Sequence, residues 1–227
     1  MDHARQHALL LAEIKRDYQY TAGFTGKPLP DERVLQALAR VERHRFVPAG
    51  MSHLAYDNYP LPIGYGQTIS QPYIVALMSD FLALGPDDKV LEVGTGCGYQ
   101  TAVLSLLAGR VYSIEIVEPL ALEARARLAQ LGYDNVEVRV GDGRKGWPEQ
   151  APFDGIIVTA AAPEIPVALF EQLAPAGRLV IPVGLPHQSQ HLYLVTRGPQ
   201  GELQKRHLLE VAFVPLTGGA PEKSGAA

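Results

Sequence analysis

With one cysteine, Cys97, in 227 residues, the chain cannot close an intramolecular disulfide. Its stability must come from a packed core, and a reducing cytoplasm is the expected location. An excess of charge is also missing: 20 Lys and Arg against 24 Asp and Glu leave −4, with no basic stripe. Nucleic acid is therefore not an expected partner. No apolar run reaches membrane-spanning length, and Met1 to Arg16 is too charged and interrupted for a secretory signal. The seven histidines show no metal-ligand spacing such as H-E-x-x-H, so no metal is expected. The G-x-G-x-x-G of dinucleotide sites and the Lys-Ser/Thr ending of a phosphate-binding loop are absent too. What remains is a chain of one-domain length with 47% hydrophobic residues, enough for a substantial core.

The most informative segment is Val90-Leu91-Glu92-Val93-Gly94-Thr95-Gly96-Cys97-Gly98-Tyr99-Gln100. A short apolar strand breaks into alternating glycines and then into a helix. Glycines here let the backbone approach a ligand, because no Cβ stands in the way. Glu92 precedes the first glycine by two positions, giving E-x-G-x-G-x-G, which looks like motif I of S-adenosylmethionine-dependent methyltransferases. Glu115 ends the next strand, where a carboxylate can accept from two ribose hydroxyls. Asp142, in Gly141-Asp142-Gly143, is placed to accept from an adenine amine or to make an ordinary Asp-Gly turn. Thr159-Ala160-Ala161 ends a fourth strand with small residues beside the expected site. Cys97 has no base near it in sequence and reads as packing in the glycine loop.

Around this segment the pattern is regular. Leu9-Leu10-Leu11 and Ile14 suggest a first helix, and Asp31 caps a second with Val34, Leu35, Leu38 and Val41 at helical spacing. From Pro48 to Pro72 there is little periodicity, as in a long binding loop. A helix follows from about Tyr73, with Pro72 in its first turn. Strands are expected over Lys89–Val93, Val111–Glu115, Val136–Val140, Gly155–Thr159 and Arg178–Val183. Helices are expected near Gln100–Leu107, Pro119–Leu131 and Pro166–Leu173, with Gly132 closing the second of these. Leu192–Thr196 and Lys205–Val211 read as an antiparallel hairpin. The fold class is α/β: a doubly wound, mostly parallel seven-stranded sheet, Rossmann-like, with N-terminal helices.

The chain also resembles the protein-L-isoaspartate (D-aspartate) O-methyltransferase family from about Asp31 to Thr217. The likeness rests on Leu61 to Tyr73 (LPIGYGQTISQPY), Leu91 to Thr101 (LEVGTGCGYQT), Phe153 to Ala161, Leu179 to Gly184 and Phe213 to Leu216. Ile116, where the family often has a polar residue, and Ala176-Gly177, where it usually has two glycines, depart from it. The expected organisation is N-terminal helices and a covering loop over residues 1–72, part of the same domain as a cofactor-binding core over 73–217, and a mobile tail over 218–227. The resemblance implies methyl transfer from S-adenosyl-L-methionine, leaving S-adenosyl-L-homocysteine, to the α-carboxyl of L-isoaspartyl residues in damaged proteins. A monomer is expected. Cofactor contacts fall on Glu92, Gly94, Thr95, Gly96, Gly98, Glu115, Asp142 and Gly143. Substrate contacts fall on Thr68, Ile69, Ser70, Val214, Pro215 and Leu216, the last three pairing with an extended peptide backbone.

A carboxylate is ionised at neutral pH, so the attack needs alignment rather than a general base. Ser70, just before a helix start, is the candidate to orient the attacking oxygen; a plain helix cap is the competing role. Other functional readings are a methyltransferase with a different acceptor, or an adaptor that binds damaged proteins without methylating them. A nicotinamide oxidoreductase fits poorly because the glycine spacing is wrong.

Overall fold

The computed structural model describes residues 2–186, 188–198 and 200–218. The expected tail from residue 219 onward lies outside the described residues. Helix α1 (His3–Thr25) starts where the Asp2 side chain accepts from Arg5 N and stops at Gly26, whose φ is 70°. Its buried stripe is Leu10, Ile14 and Tyr18, spaced four apart on one face. Leu9 points outward and is 62% exposed, so the three consecutive leucines do not share a face. Helix α2 (Glu32–Arg40) is capped by Asp31, as the sequence suggests, and buries Val34, Leu35 and Leu38.

The segment expected to be an aperiodic loop has structure. A 3₁₀ helix spans Ala49–Leu54. Strands β1 (Leu61–Gly64) and β2 (Gln67–Ile69) then form a hairpin that buries Leu61 and Ile69. Its two-residue turn, Tyr65-Gly66, has φ values of 53° and 71°. Positive φ at both central residues twists a turn to match the strands it joins. The strands are too short for periodicity to reveal them.

Helix α3 (Pro72–Leu82) begins at Gln71 with Pro72 at its first position, and all its residues are buried. Beyond it lies the main sheet, made of β3 (Lys89–Val93), β4 (Arg110–Glu115), β5 (Val136–Val140), β6 (Phe153–Val158), β7 (Leu173–Val183), β8 (Gln190–Arg197) and β9 (Leu203–Val211). The strand order is β5-β4-β3-β6-β7-β8-β9. The first five named are mutually parallel, and β8 runs antiparallel to both neighbours. Helices α4 (Tyr99–Ser105), α5 (Glu118–Gln130) and α6 (Val167–Glu171) make the crossovers. Strand β7 starts at Leu173 rather than Arg178, and α6 is correspondingly short. Leu173 is fully buried and pairs with Phe153 across a bulge, so the sheet claims a residue that helical spacing assigned to the helix.

This order places the site. The chain steps outward from β3 to β4 and β5, then returns to β6 on the other side of β3. The crevice beyond the carboxyl ends of β3 and β6 is the switch point where ligands bind in open α/β sheets.

Candidate functional site

At that switch point the chain leaves β3 through Gly94, Gly96 and Gly98, with φ values of 99°, 53° and 88°. Gly94 N donates to Ile114 O at 2.8 Å, and Thr159 Oγ1 donates to Gly94 O at 2.7 Å. A Cβ at Gly94 would overlap that threonine hydroxyl, so this position admits no side chain. Arg127 of α5 clamps the loop from outside, donating to Cys97 O at 2.8 Å.

Beneath the loop lies Glu92, fully buried. Its Oε2 accepts from Thr101 Oγ1 and from Ser113 Oγ, each at 2.5 Å. Ser113 Oγ in turn meets Thr95 Oγ1 at 2.6 Å. One carboxylate thus ties the glycine loop, β4 and α4 together. Glu92 Oε1 has no hydrogen-bond partner among the described residues. Burial pushes the Glu92 carboxyl up to about 8, with the two hydroxyl donors pulling the other way.

Glu115 at the end of β4 accepts from Gly96 N on one oxygen (2.8 Å) and from Val117 N on the other (2.9 Å). Both bonds hold its carboxylate at the rim of the cavity over the glycine loop. Gly94, Gly96, Glu115, Gly143, Thr68, Ile69, Ser70, Val214, Pro215 and Leu216 line the cavity. Glu92, Thr95, Gly98 and Asp142 stand behind that lining. Gly98 is the N-cap of α4. Asp142 caps the 3₁₀ turn Gly143–Lys145, accepting from Arg144 N at 3.0 Å. Burial raises the Cys97 thiol above its ordinary value, which suits packing rather than nucleophilic attack.

A second, wider groove of about 1290 Å³ opens between α1, α3 and the end of β9. Thr68, Ser70, Thr159 and Val214 line both spaces and form the throat between them. Ser70 does not cap α3: the N-cap is Gln71, and no side-chain cap bond is made. Its carbonyl accepts from Arg43 Nη2 at 2.8 Å. Arg43 is fully buried, with its guanidinium 4.8 Å from the centre of the Tyr99 ring. The segment after β9 is pinned by Gln190, which bonds both Phe213 N and Phe213 O, and by Ala161, which bonds Val214 O and Leu216 N at 2.8 Å. Val214 O and Leu216 N are thus engaged within the chain, while Val214, Pro215 and Leu216 line the cavity.

Sequence reasoning missed Arg43, Ser113 and Thr101. Ser113 carried a signal, a polar residue inside the apolar strand Val111 to Ile114. Arg43, between Glu42 and His44, reads as an ordinary surface base.

A family model described as protein-L-isoaspartate(D-aspartate) O-methyltransferase matches residues 26–221. The chain belongs to this family. Among its relatives, a protein-L-isoaspartate O-methyltransferase 2 of Syntrophobacter fumaroxidans is 58% identical over 212 residues, covering 93% of this chain and 86% of that one. Another of the same description, from Polaromonas sp., is 57% identical over 209 residues, 92% of this chain and 99% of that one. A family member from Plasmodium falciparum, solved with S-adenosyl-L-homocysteine, superposes with a TM-score of 0.77 at 27% identity, covering 93% and 98% of the two chains. A further solved family member gives a TM-score of 0.79 at 28% identity, covering 93% of this chain and 66% of its own.

Proposed function

We propose that the protein transfers a methyl group from S-adenosyl-L-methionine to the α-carboxyl of L-isoaspartyl residues in damaged proteins and peptides. The observation that carries this reading is the throat: a glycine-floored cavity meets an open groove at Ser70. A group-transfer enzyme with a small cofactor and a large acceptor needs such a junction.

The residues present fit the cofactor. Gly94 and Gly96 face the cavity with bare backbone, and the Glu115 carboxylate sits at its rim. Glu115 would hold the ribose hydroxyls, Gly143 with Asp142 behind it the adenine side, and Gly94 and Gly96, in a loop ordered from behind by Thr95, Gly98 and Glu92, the amino-acid end. When bound, S-adenosyl-L-methionine supplies an electrophilic methyl carbon on a sulfonium.

The acceptor carboxylate is ionised at neutral pH, so no base is required. Ser70 Oγ has no hydrogen-bond partner among the described residues and is available to donate to that carboxylate. The N-terminus of α3, immediately after it, favours the negative charge. Thr68, Ile69, Val214, Pro215 and Leu216 wall the acceptor, and Ile63 of the β1–β2 hairpin closes over the loop at Gly96. Closing the site excludes competing water. Cytoplasmic location, a monomeric state and independence from nucleic acid complete the proposal. The lone buried cysteine and the near-balanced charge support it, and no helix of the described residues is long and apolar enough to cross a membrane.

The test is labelled methyl transfer to a short isoaspartyl peptide beside its aspartyl counterpart. Base-labile label on the isoaspartyl form alone is the expected result. No transfer, with S-adenosyl-L-methionine still bound, would overturn the acceptor assignment.

A further inference from the structure

Arg43 is one of the largest fully buried side chains of the protein, and it stands in a short 3₁₀ turn, Arg43–Arg45. Among the described residues no carboxylate pairs with it. Its Nη2 donates to Ser70 O at 2.8 Å, while Nε and Nη1 have no hydrogen-bond partner among the described residues. Burial pulls the guanidinium below its ordinary value. A buried charge in this condition costs stability, and an apolar side chain of similar length would be tolerated as well or better. Packing alone therefore gives no reason for an arginine at this position. Its two contacts do. The guanidinium lies 4.8 Å from the centre of the Tyr99 ring, and Phe46, at the end of the same turn, meets that ring edge-on at 5.6 Å. Tyr99 opens α4 directly after Gly98 and lines the cofactor cavity. Ser70 stands in the throat between cavity and groove. Arg43 thus spans from the end of the glycine loop to the residue that meets the acceptor.

We infer that Arg43 is a positioning residue for methyl transfer: it sets Ser70 against the start of α4, so that the acceptor oxygen and the cofactor meet in line. Displacement at a methyl carbon needs oxygen, carbon and sulfur aligned, and a misplacement of about 1 Å can cost on the order of a hundredfold in rate. Arg43 lines neither the cavity nor the groove, so it acts through Ser70 and Tyr99 and not on the reacting atoms. A guanidinium suits this work. One rigid plane can stack on Tyr99 and donate along its edge to Ser70 O, which the point charge of an ammonium cannot do at once. The inference rests on the proposed function, since it concerns alignment of the same acceptor.

The experiment is a double-mutant cycle between Arg43 and Ser70, read in the full chain with an isoaspartyl peptide. Arg43→Met should lower kcat about tenfold to a hundredfold. The dissociation constant for S-adenosyl-L-homocysteine should stay within about twofold of the parent's, and the urea midpoint should be equal or higher. Arg43→Lys, which keeps a donor for Ser70 O but loses the plane, should lower kcat about fivefold. In a Ser70→Ala background the further loss from Arg43→Met should shrink to less than about threefold, because the hydroxyl that Arg43 positions is gone. Should Arg43→Met fail to fold, the same cycle is read with Arg43→Lys. An unchanged kcat, a loss shared equally by S-adenosyl-L-homocysteine affinity, or losses at the two positions that simply multiply would overturn the inference. Turnover by the parent keeps the two questions apart. If the parent methylates the peptide and the losses multiply, only the role of Arg43 fails; if the parent does not methylate it, the acceptor assignment fails and this inference falls with it.

Discussion

Ser70 presents a hydroxyl that the fold does not use, at the one place where cofactor cavity and acceptor groove meet. A donor lost from a charged acceptor costs about 1.5–3 kcal/mol, or roughly ten- to 150-fold. Ser70→Ala should therefore lower kcat by about that factor while the dissociation constant for S-adenosyl-L-homocysteine stays within about twofold. Steady-state kinetics beside calorimetric titration separates the two, and equal losses in both would assign Ser70 a structural role. Glu92 makes a different prediction. Its folded carboxyl titrates near 8, far above its ordinary 4.5, so between those values the folded state holds a proton that the unfolded state releases. Stability contributed by the protonated form is present at acid pH and is lost as pH rises through 8. Glu92→Gln, which cannot ionise, should lose less stability than the parent between pH 6 and pH 9. Urea melts of both proteins at the two values check this, and parallel pH dependences would count against a raised Glu92. Arg43 shows the limit of reading residues singly. Its part in holding Ser70 O depends on a turn that folds the chain back over Tyr99, and no local pattern marks it.

Elements give up their strain and their fastenings in the same way. Ala176, in β7 just before Gly177, has a φ of 63°, and its side chain is exposed. An L-residue pays about 1–2 kcal/mol for that conformation, more than glycine loses in chain entropy. Ala176→Gly should raise stability by ~0.5–1 kcal/mol, read as a higher urea midpoint at unchanged slope; a lower midpoint would show that β7 does not carry this strain. Asp80 of α3 fastens the first helix and the segment after it, accepting from Tyr18 OH at 3.1 Å and Asp31 N at 3.2 Å and pairing with Lys27. Its carboxylate is almost wholly buried while Lys27 keeps part of its surface in water. Removing one partner of such a pair costs about 3 kcal/mol. Asp80→Ala should show that loss in denaturant melts. A loss below about 1 kcal/mol would mean that packing and the other hydrogen bonds of α1 hold it without Asp80. The elements that periodicity revealed, β3 to β6 and α2 to α5, are those whose burial repeats along the chain. The β1–β2 hairpin and the start of β7 escaped because short strands and a bulge have no repeat to see.

On the scale of the whole molecule, the fold and the cofactor side were largely written in the order of strands and the glycine spacing. A parallel sheet fixes where its loops gather, so Glu115 could be placed beside Gly96 before any coordinates. The acceptor groove could not, because its walls come from residues near 17, 73 and 210 that only tertiary packing brings together. Cofactor binding should couple to global stability. S-adenosyl-L-homocysteine at 100 times its dissociation constant adds about 2.7 kcal/mol. For a chain of this size that is a rise in Tm of roughly 5–10 °C. Glu115→Ala should abolish most of this shift while keeping the far-ultraviolet circular dichroism spectrum, and a full shift in the variant would remove Glu115 from the cofactor site.

Helix α1 meets the body through Leu10, Ile14 and Tyr18, and meets the acceptor through Asp17, Tyr20 and Thr21. Two of the groove positions serve both duties: Asp17 accepts from Asn58 Nδ2 and Thr21 Oγ1 shares a hydrogen bond with Tyr73 OH. A change at either residue therefore moves a wall of the groove and the seat of the helix together, so the shape of that space is set by how the first helix docks rather than by side chains that can be exchanged one at a time.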